Sequence, residues 1–366
     1  MRILSVVSTT NFAQFTRRAT LEGIARKSDK MDLLFFIGLK QLQTEKISTP
    51  GIKFHTYYFW VPGKLKKYTL LGNFEYLLRG FRWKNIFKQY DVIFFTDPNQ
   101  AYLLPYCGRQ KIVYLIRDPN VLQSRKHINN ERKLIEKAHL VLATSLNLAR
   151  EYIPCYYGFK HPNTKYWANC ADLKVWNWNK INIPKESGSS KPLVGMAGNI
   201  NKNTDIDLLD YITKYRPDYK FQLCGNIFVS GSRLNKLSEI LGRDNVEHLG
   251  LIKFDELPSL VAEWNVGITV EAINEYTYFT HHNKVYQYLA LGKPVVVYKI
   301  HNDYDHLHPH VLTPPTYKKY ADALDKALES SKQEQFNNEC IEKALENSSD
   351  KRAEDFLKWV KELMTD

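Results

Sequence analysis

The stretch NKVYQYLALGKPVV, residues 283–296, joins a short helical pattern to a Gly-Lys-Pro stop and then to an apolar run typical of a buried strand. The first N–H groups of a helix have no partner within the helix and carry about half a positive charge, so an anion binds there readily. Lys284 adds a full charge in that turn. The pattern predicts a phosphate-binding segment, and the alternative is an ordinary helix–turn–strand unit.

Strand and helix patterns alternate on both sides of this stretch. Such alternation predicts parallel sheets with helices on both faces, and hence an α/β fold of two Rossmann-like doubly wound domains that face a cleft. Ligands are expected at the carboxyl ends of the strands. The predicted strands are 2–8, 31–38, 53–61, 91–97, 111–118 and 139–145 in the first half, and 192–197, 220–224, 246–249, 266–270 and 294–298 in the second.

The 366 residues suit two domains of ordinary size. We predict an N-terminal domain at 1–180 and a C-terminal domain at 181–345, with the polar stretch before residue 191 as the linker. The tail at 346–366 is predicted to be a C-terminal helix that packs back towards the first domain. Its apolar stripe consists of Phe356, Trp359, Val360 and Leu363.

The charge is distributed unevenly along the chain. Residues 1–180 hold 29 Lys and Arg against 12 Asp and Glu, whereas residues 181–366 hold 22 against 27. A basic half attracts phosphates of nucleic acid, anionic lipid or a phosphorylated substrate, but no nucleic-acid-binding motif is present. The basic, aromatic stretch 59–90 is typical of a segment at a membrane surface, or alternatively of a core helix with a solvated basic face.

The sequence contains no apolar run of membrane-spanning length, and its N-terminus turns polar after a few residues. We therefore expect neither a membrane span nor a signal peptide. We expect the protein to be cytoplasmic. Five scattered cysteines without metal-ligand spacing argue against a disulfide framework and a structural zinc site.

The second half contains five characteristic segments in order: VGMAGNI at 194–200, DIDLL at 205–209, YKFQLCG at 219–225, NVEHLG at 245–250 with FDELP at 254–258, and the stretch at 283–296. Together they resemble the donor-binding domain of GT-B glycosyltransferases, in particular the bacterial group 1 (family 4) type of surface polysaccharide assembly. The first half matches more weakly, chiefly at 131–152. The resemblance implies that the first domain binds the acceptor and the second binds the nucleotide-sugar donor.

This resemblance implies a glycosyltransferase that moves a sugar from a UDP-linked donor to a glycan or lipid-linked acceptor. Lys284 is expected to contact the diphosphate, and Gly198 to let the backbone approach it. Gly198 is alternatively a plain turn glycine and Lys202 a solvated surface lysine. The expected donor-binding residues are Gly198, Asn199, Lys202, Leu249, Glu271, His282, Asn283, Lys284 and Gln287.

The chain departs from the family pattern at two positions. Gln287 stands where the family has a ribose-binding Glu, and Phe279 stands where retaining members have another Glu. The absence of these two glutamates favours direct, inverting displacement, which needs a general base beside the acceptor hydroxyl. We predict Asp118 as that base and Asp97 as its competitor, and both Asp-Pro pairs are alternatively turn formers.

We expect no metal and no cofactor, with the nucleotide-sugar as substrate. The pairs Asp205/Asp207 and Asp303/Asp305 have DxD spacing, but Asp205 opens a helix and is expected as its cap. The expected partners are the donor, the acceptor and an anionic membrane surface at the inner face of the cytoplasmic membrane, without nucleic acid. The alternatives are a sugar-nucleotide epimerase on the same fold and a non-catalytic basic scaffold or nucleic-acid binder.

Overall fold

The computed structural model describes residues 1–7, 17–38, 51–59, 83–124, 127–181 and 191–365. The chain forms two compact units, of which unit 1 is Met1–Ala168 with Ser349–Asp366 and unit 2 is Asn169–Ser348. The predicted boundary at residue 180 therefore falls inside unit 2, where Trp176 is fully buried in the core. The predicted linker residues 182–190 lie outside the described residues.

Over its described residues, unit 1 contains a parallel sheet of seven strands in the order β3-β2-β1-β4-β5-β6-β7. Several strands are buried runs of Val, Ile, Leu and Phe, as expected where helices cover both faces of a sheet. The strands are β1 Arg2–Val7, β2 Lys30–Gly38, β3 Ile52–Phe59, β4 Val92–Phe95, β5 Lys111–Ile116, β6 Leu140–Ala143 and β7 Thr164–Tyr166. The α-helices described in this unit are α1 Arg18–Lys27, α2 Asn120–Gln123, α3 His127–Lys137, α4 Ile153–Tyr157 and, from the end of the chain, α12 Ser349–Thr365.

The described part of unit 2 contains a parallel sheet of six strands in the order β10-β9-β8-β11-β12-β13. The strand order reverses between β8 and β11, and ligands of doubly wound sheets bind outside the carboxyl ends of the strands at such a point. The strands are β8 Leu193–Ala197, β9 Lys220–Cys224, β10 Val246–Gly250, β11 Val266–Thr269, β12 Val295–Val297 and β13 Val311–Leu312. The α-helices are α5 Ile206–Tyr215, α6 Ser232–Leu241, α7 Leu257–Ala262, α8 Glu275–Tyr278, α9 Asn283–Leu289, α10 Tyr317–Ser331 and α11 Glu334–Glu346.

The predicted α/β class with two doubly wound units is confirmed, and each predicted strand is present with slightly different ends. The sequence missed β7 and β13. Each is only three or two residues long and lies at the edge of its sheet, so neither has the buried apolar run by which the other strands were predicted.

The end of the chain forms two helices that belong to different units. Helix α11 lies in unit 2, whereas α12 lies in unit 1 and packs against α1. Phe356, Val360 and Leu363 of the predicted stripe are buried in the unit 1 core, with Trp359 partly buried against it.

The basic, aromatic stretch at 59–90 is described only in part, because residues 60–82 lie outside the described residues. Trp83 and Phe87 are buried within unit 1. These two aromatic side chains are therefore core residues, and for them the membrane-surface interpretation is wrong. Among the helices that the structure describes, none is long and apolar enough to cross a membrane.

Candidate functional site

Two glycine turns meet at the carboxyl ends of β8 and β9. Gly198 and Gly225 have φ of +147° and +134°, a conformation that L side chains rarely adopt. A Cβ on Gly225 would lie 2.3 Å from the Gly198 carbonyl oxygen, so the two backbones touch with no room for a side chain. Asn199 accepts a hydrogen bond from the Asn226 N–H at 3.0 Å, which joins the next residues of the two turns. The Gly198 backbone thus closely approaches that of Gly225, whereas its approach to a diphosphate stays a prediction.

The Lys284 ammonium lies directly over Gly198. A Cβ built on Gly198 would be 2.8 Å from Lys284 Nζ, and the ammonium makes no hydrogen bond or ion pair with any residue that the structure describes. Burial lowers the pKa of Lys284, and the nearby Glu271 carboxylate opposes that shift. A cation without a partner among the described residues, held over a glycine turn, is suited to an anionic ligand, because such a ligand would replace the lost hydration of the ammonium.

The side chains of Glu271 and His282 are within hydrogen-bond distance of each other beside this lysine. The distance from His282 Nε2 to Glu271 Oε2 is 2.6 Å. Burial by itself raises the pKa of Glu271, but His282 and then Lys284 outweigh it, so the pKa lies below its ordinary value. The backbones of Thr204 and Glu271 form an isolated antiparallel β-bridge, which joins the loop after β8 to the segment after β11. The backbone N–H of His282 donates to the Tyr304 hydroxyl at 2.9 Å.

A second histidine, His301, lies buried behind this pair. Burial, with the charge of His282 next, lowers the pKa of His301 to about 4, although Glu271 acts in the opposite direction. His301 is therefore neutral at physiological pH. His301 is not among the residues predicted from the sequence, because a single His after an apolar strand carries no local signal of burial.

The remaining predicted donor-binding residues differ in what surrounds them. Gln287 is half-buried one helical turn after Lys284, and its amide makes no hydrogen bond within the described residues. Leu249 lies in β10 at the edge of the unit 2 core. Asn283 is the first residue of α9, which is seven residues long. Lys202 is exposed, as the surface-lysine alternative requires.

Phe279, at the position of the second Glu of retaining family members, is 4% exposed and packs edge-on against Tyr278. It is a core residue of unit 2. Asp205 is the N-cap of α5 and accepts from the Leu208 N–H at 2.9 Å, as predicted. No cluster of three or more metal-ligating side chains occurs within the described ranges.

Unit 1 contains the two candidate bases. Asp97 caps the 3₁₀ helix Pro98–Tyr106 and accepts from the Asn99 N–H at 2.8 Å, so its turn-forming alternative is the one observed. Asp118 follows the carboxyl end of β5 and is half-buried. Its carboxylate makes no hydrogen bond with a residue that the structure describes, so the predicted role as general base stays a prediction.

Glu131, which is fully buried in unit 1, is not among the residues predicted from the sequence. It lies on α3 three residues before Leu134 and four before Ile135, the other buried residues of that helix. Tyr114, Asn120, Tyr152 and Tyr157 all donate hydrogen bonds to its carboxylate, at 2.7 to 2.8 Å. A carboxylate on the apolar face of a helix was the available signal.

No protein-family model and no curated protein matches the sequence. Solved structures match it over nearly its whole length. They include sucrose-phosphate synthase from Thermosynechococcus elongatus (14% identity, 100% of this chain and 99% of that chain, TM-score 0.73) and HepE from Anabaena in complex with UDP and glucose (16%, 99% and 100%, 0.71). The lipopolysaccharide outer core galactosyltransferase WaaB matches with 12% identity, 99% of both chains and a TM-score of 0.67. The chain therefore has the GT-B fold, and the predicted resemblance is confirmed at the level of the fold.

Proposed function

We propose that this protein is a glycosyltransferase that moves a sugar from a UDP-linked donor to a glycan or lipid-linked acceptor of bacterial surface polysaccharide synthesis. The observation that supports this most directly is the position of the Lys284 ammonium over the Gly198 turn, with no hydrogen-bond or ion-pair partner in the described part of the chain, which suits it to the diphosphate of the donor. The structural neighbours are consistent with it, since HepE has been solved with UDP-glucose and WaaB is named a galactosyltransferase.

In the proposed reaction Asp118 removes the proton of the acceptor hydroxyl. The acceptor oxygen forms a bond to the anomeric carbon, the bond from that carbon to the β-phosphate oxygen breaks, and the electron pair leaves with UDP. Lys284 stabilises the charge that grows on the β-phosphate, and Gln287 accepts a hydrogen bond from the ribose. Attack opposite the leaving group inverts the anomeric centre.

Glu271 and His282 are proposed to contact the donor sugar or phosphate, because their hydrogen-bonded side chains lie beside Lys284 in unit 2. With a fixed cation at the leaving group, we expect transfer to persist in EDTA. The basic first half is proposed to bind an anionic membrane surface or the phosphates of a lipid-linked acceptor.

Thermal unfolding with UDP, GDP, ADP and CMP side by side tests the donor site, because a ligand of the native state raises the melting temperature. We expect the largest shift with UDP. Lys284→Ala should weaken UDP binding about ten- to a hundredfold, since it removes a charge-assisted hydrogen bond. Lys253→Ala, at a surface lysine of the same unit, is the control and should bind UDP normally.

The Asp118→Asn variant should bind UDP as the wild type does but should no longer release UDP from UDP-sugars. Loss of both binding and release would show that Asp118 is structural. If no nucleotide shifts the melting temperature, the donor site is absent and the scaffold alternative is favoured, which salt-dependent nucleic-acid binding would support.

A further inference from the structure

The buried Glu131 carboxylate connects three segments at the carboxyl ends of β5 and β6. Tyr114 belongs to β5 itself, and Asn120 to the segment that follows it. Tyr152 and Tyr157 belong to the segment that follows β6. The carboxylate therefore holds together segments that are far apart in sequence.

The segment after β5 is held at further points. The Val121 N–H donates to the Tyr152 hydroxyl at 3.2 Å, and that hydroxyl in turn donates to Glu131. Thr144 Oγ1 donates to the Arg117 carbonyl at 2.7 Å. Residues 117–121 are thus bonded on both sides of Asp118.

We propose that Glu131 is a positioning residue that fixes the backbone of residues 117–123 and thereby aims the Asp118 carboxylate at the acceptor hydroxyl. The inference rests on the proposed function, because it assigns Asp118 the role of base. Glu131 does not itself touch the substrate in this proposal, since a carboxylate has about four acceptor positions and four donors occupy them.

The energetics agree with such a role. Burial raises the pKa of Glu131, and the four hydrogen bonds only partly oppose that shift. A carboxyl group whose pKa is raised on folding lowers the stability of the folded state as the pH rises to neutral. A buried charge that costs stability and ties several segments together is better suited to fixing geometry than to stabilising the fold.

The test compares Glu131→Gln with the wild type by amide hydrogen exchange and by kinetics. Gln keeps the shape of the side chain but has only one acceptor oxygen. We expect faster exchange over residues 117–123, unchanged Kd for UDP, and release of UDP from UDP-glucose slowed about ten- to a hundredfold at saturating donor, because small misplacements of catalytic groups cost that much.

Two further variants make the test specific. Asn120→Ala removes the direct bond from the segment to Glu131 and should act in the same direction, while the three tyrosine donors to the carboxylate remain. Glu136→Gln, on the exposed side of the same helix and paired with Arg132, should leave exchange and release unchanged.

Unchanged exchange over 117–123 in both Glu131→Gln and Asn120→Ala would overturn the positioning role. Faster exchange with undiminished release would overturn its link to catalysis. If the wild type binds no UDP, the proposed function is what fails, and the exchange measurement, which needs no substrate, still decides whether Glu131 holds the segment.

Discussion

At the residue scale, the position of the Lys284 ammonium depends on what stands at residue 198. Glycine allows the turn to take a φ of +147° and leaves the space that Lys284 Nζ occupies. The sequence predicted a glycine turn at Gly198 and, separately, a phosphate-binding lysine at Lys284. Their contact became visible only in the fold, because β8 and α9 are distant in sequence.

Gly198→Ala should both destabilise unit 2 and weaken UDP binding. A side chain at this φ costs about 1–3 kcal/mol, and its Cβ displaces the Lys284 ammonium. Melting temperature and calorimetric UDP titration check the two effects. Gly242→Ala is the matched control, because its φ is −81° and its Cβ meets the nearest atom at 3.5 Å. If Gly198→Ala bound UDP with normal affinity, the Gly198 turn would have no role in UDP binding.

His301 should make the protein less stable in mild acid. Its pKa is about 4 in the folded state and about 6.5 when unfolded, so the contribution of His301 to stability is fully present above pH 6.5 and is lost as the pH falls towards 4. The full contribution is about 3 kcal/mol. Urea unfolding between pH 7 and pH 5 should show a smaller loss of stability in His301→Gln than in the wild type. The exposed His306, changed to Gln, should not alter the loss.

At the element scale, helix α12 completes the core of unit 1 although it lies at the other end of the chain. The Phe356 ring packs 5.0 Å from Phe94 and 5.8 Å from Trp167 between ring centroids. A Cβ on Gly23 of α1 would lie 3.0 Å from Ala353 Cβ, so the two helices approach closely. The apolar stripe of α12 was readable from the sequence, but its partner helix was not.

Phe356→Ala should lower the free energy of unfolding by about 3–5 kcal/mol, because it leaves a cavity among aromatic rings. Urea denaturation followed by circular dichroism measures the loss. Lys358→Ala, on the exposed face of the same helix, should change stability by less than about 0.5 kcal/mol. Equal stability of the two variants would mean that the helix does not complete the core.

At the scale of the whole molecule, charge divides the chain into a basic half and a mildly acidic half. The first 180 residues carry a net charge of +17 and the remainder −5. Such a difference creates a field that attracts anions before any specific contact forms. The proposed membrane surface is one source of such anions.

The protein should therefore bind vesicles that contain anionic lipid and should not bind vesicles of neutral lipid. The attraction is electrostatic, so raised salt should weaken the binding strongly. Sedimentation with both vesicle types, at low and high salt, measures this. Equal binding to neutral vesicles, or binding indifferent to salt, would contradict the membrane interpretation.

The sequence by itself determined the α/β class and nearly all strands, because buried strands, helix starts and glycine turns depend on neighbours a few residues apart. The phosphate-binding role of residues 283–296 stays a prediction. Only the tertiary structure decided which polar groups share an environment. The Glu131 carboxylate takes its four donors from residues 114 to 157, and Glu271 owes its lowered pKa to His282 and Lys284. Burial and charge act through space, and the distances between side chains in the folded protein cannot be obtained from the spacing of residues along the chain.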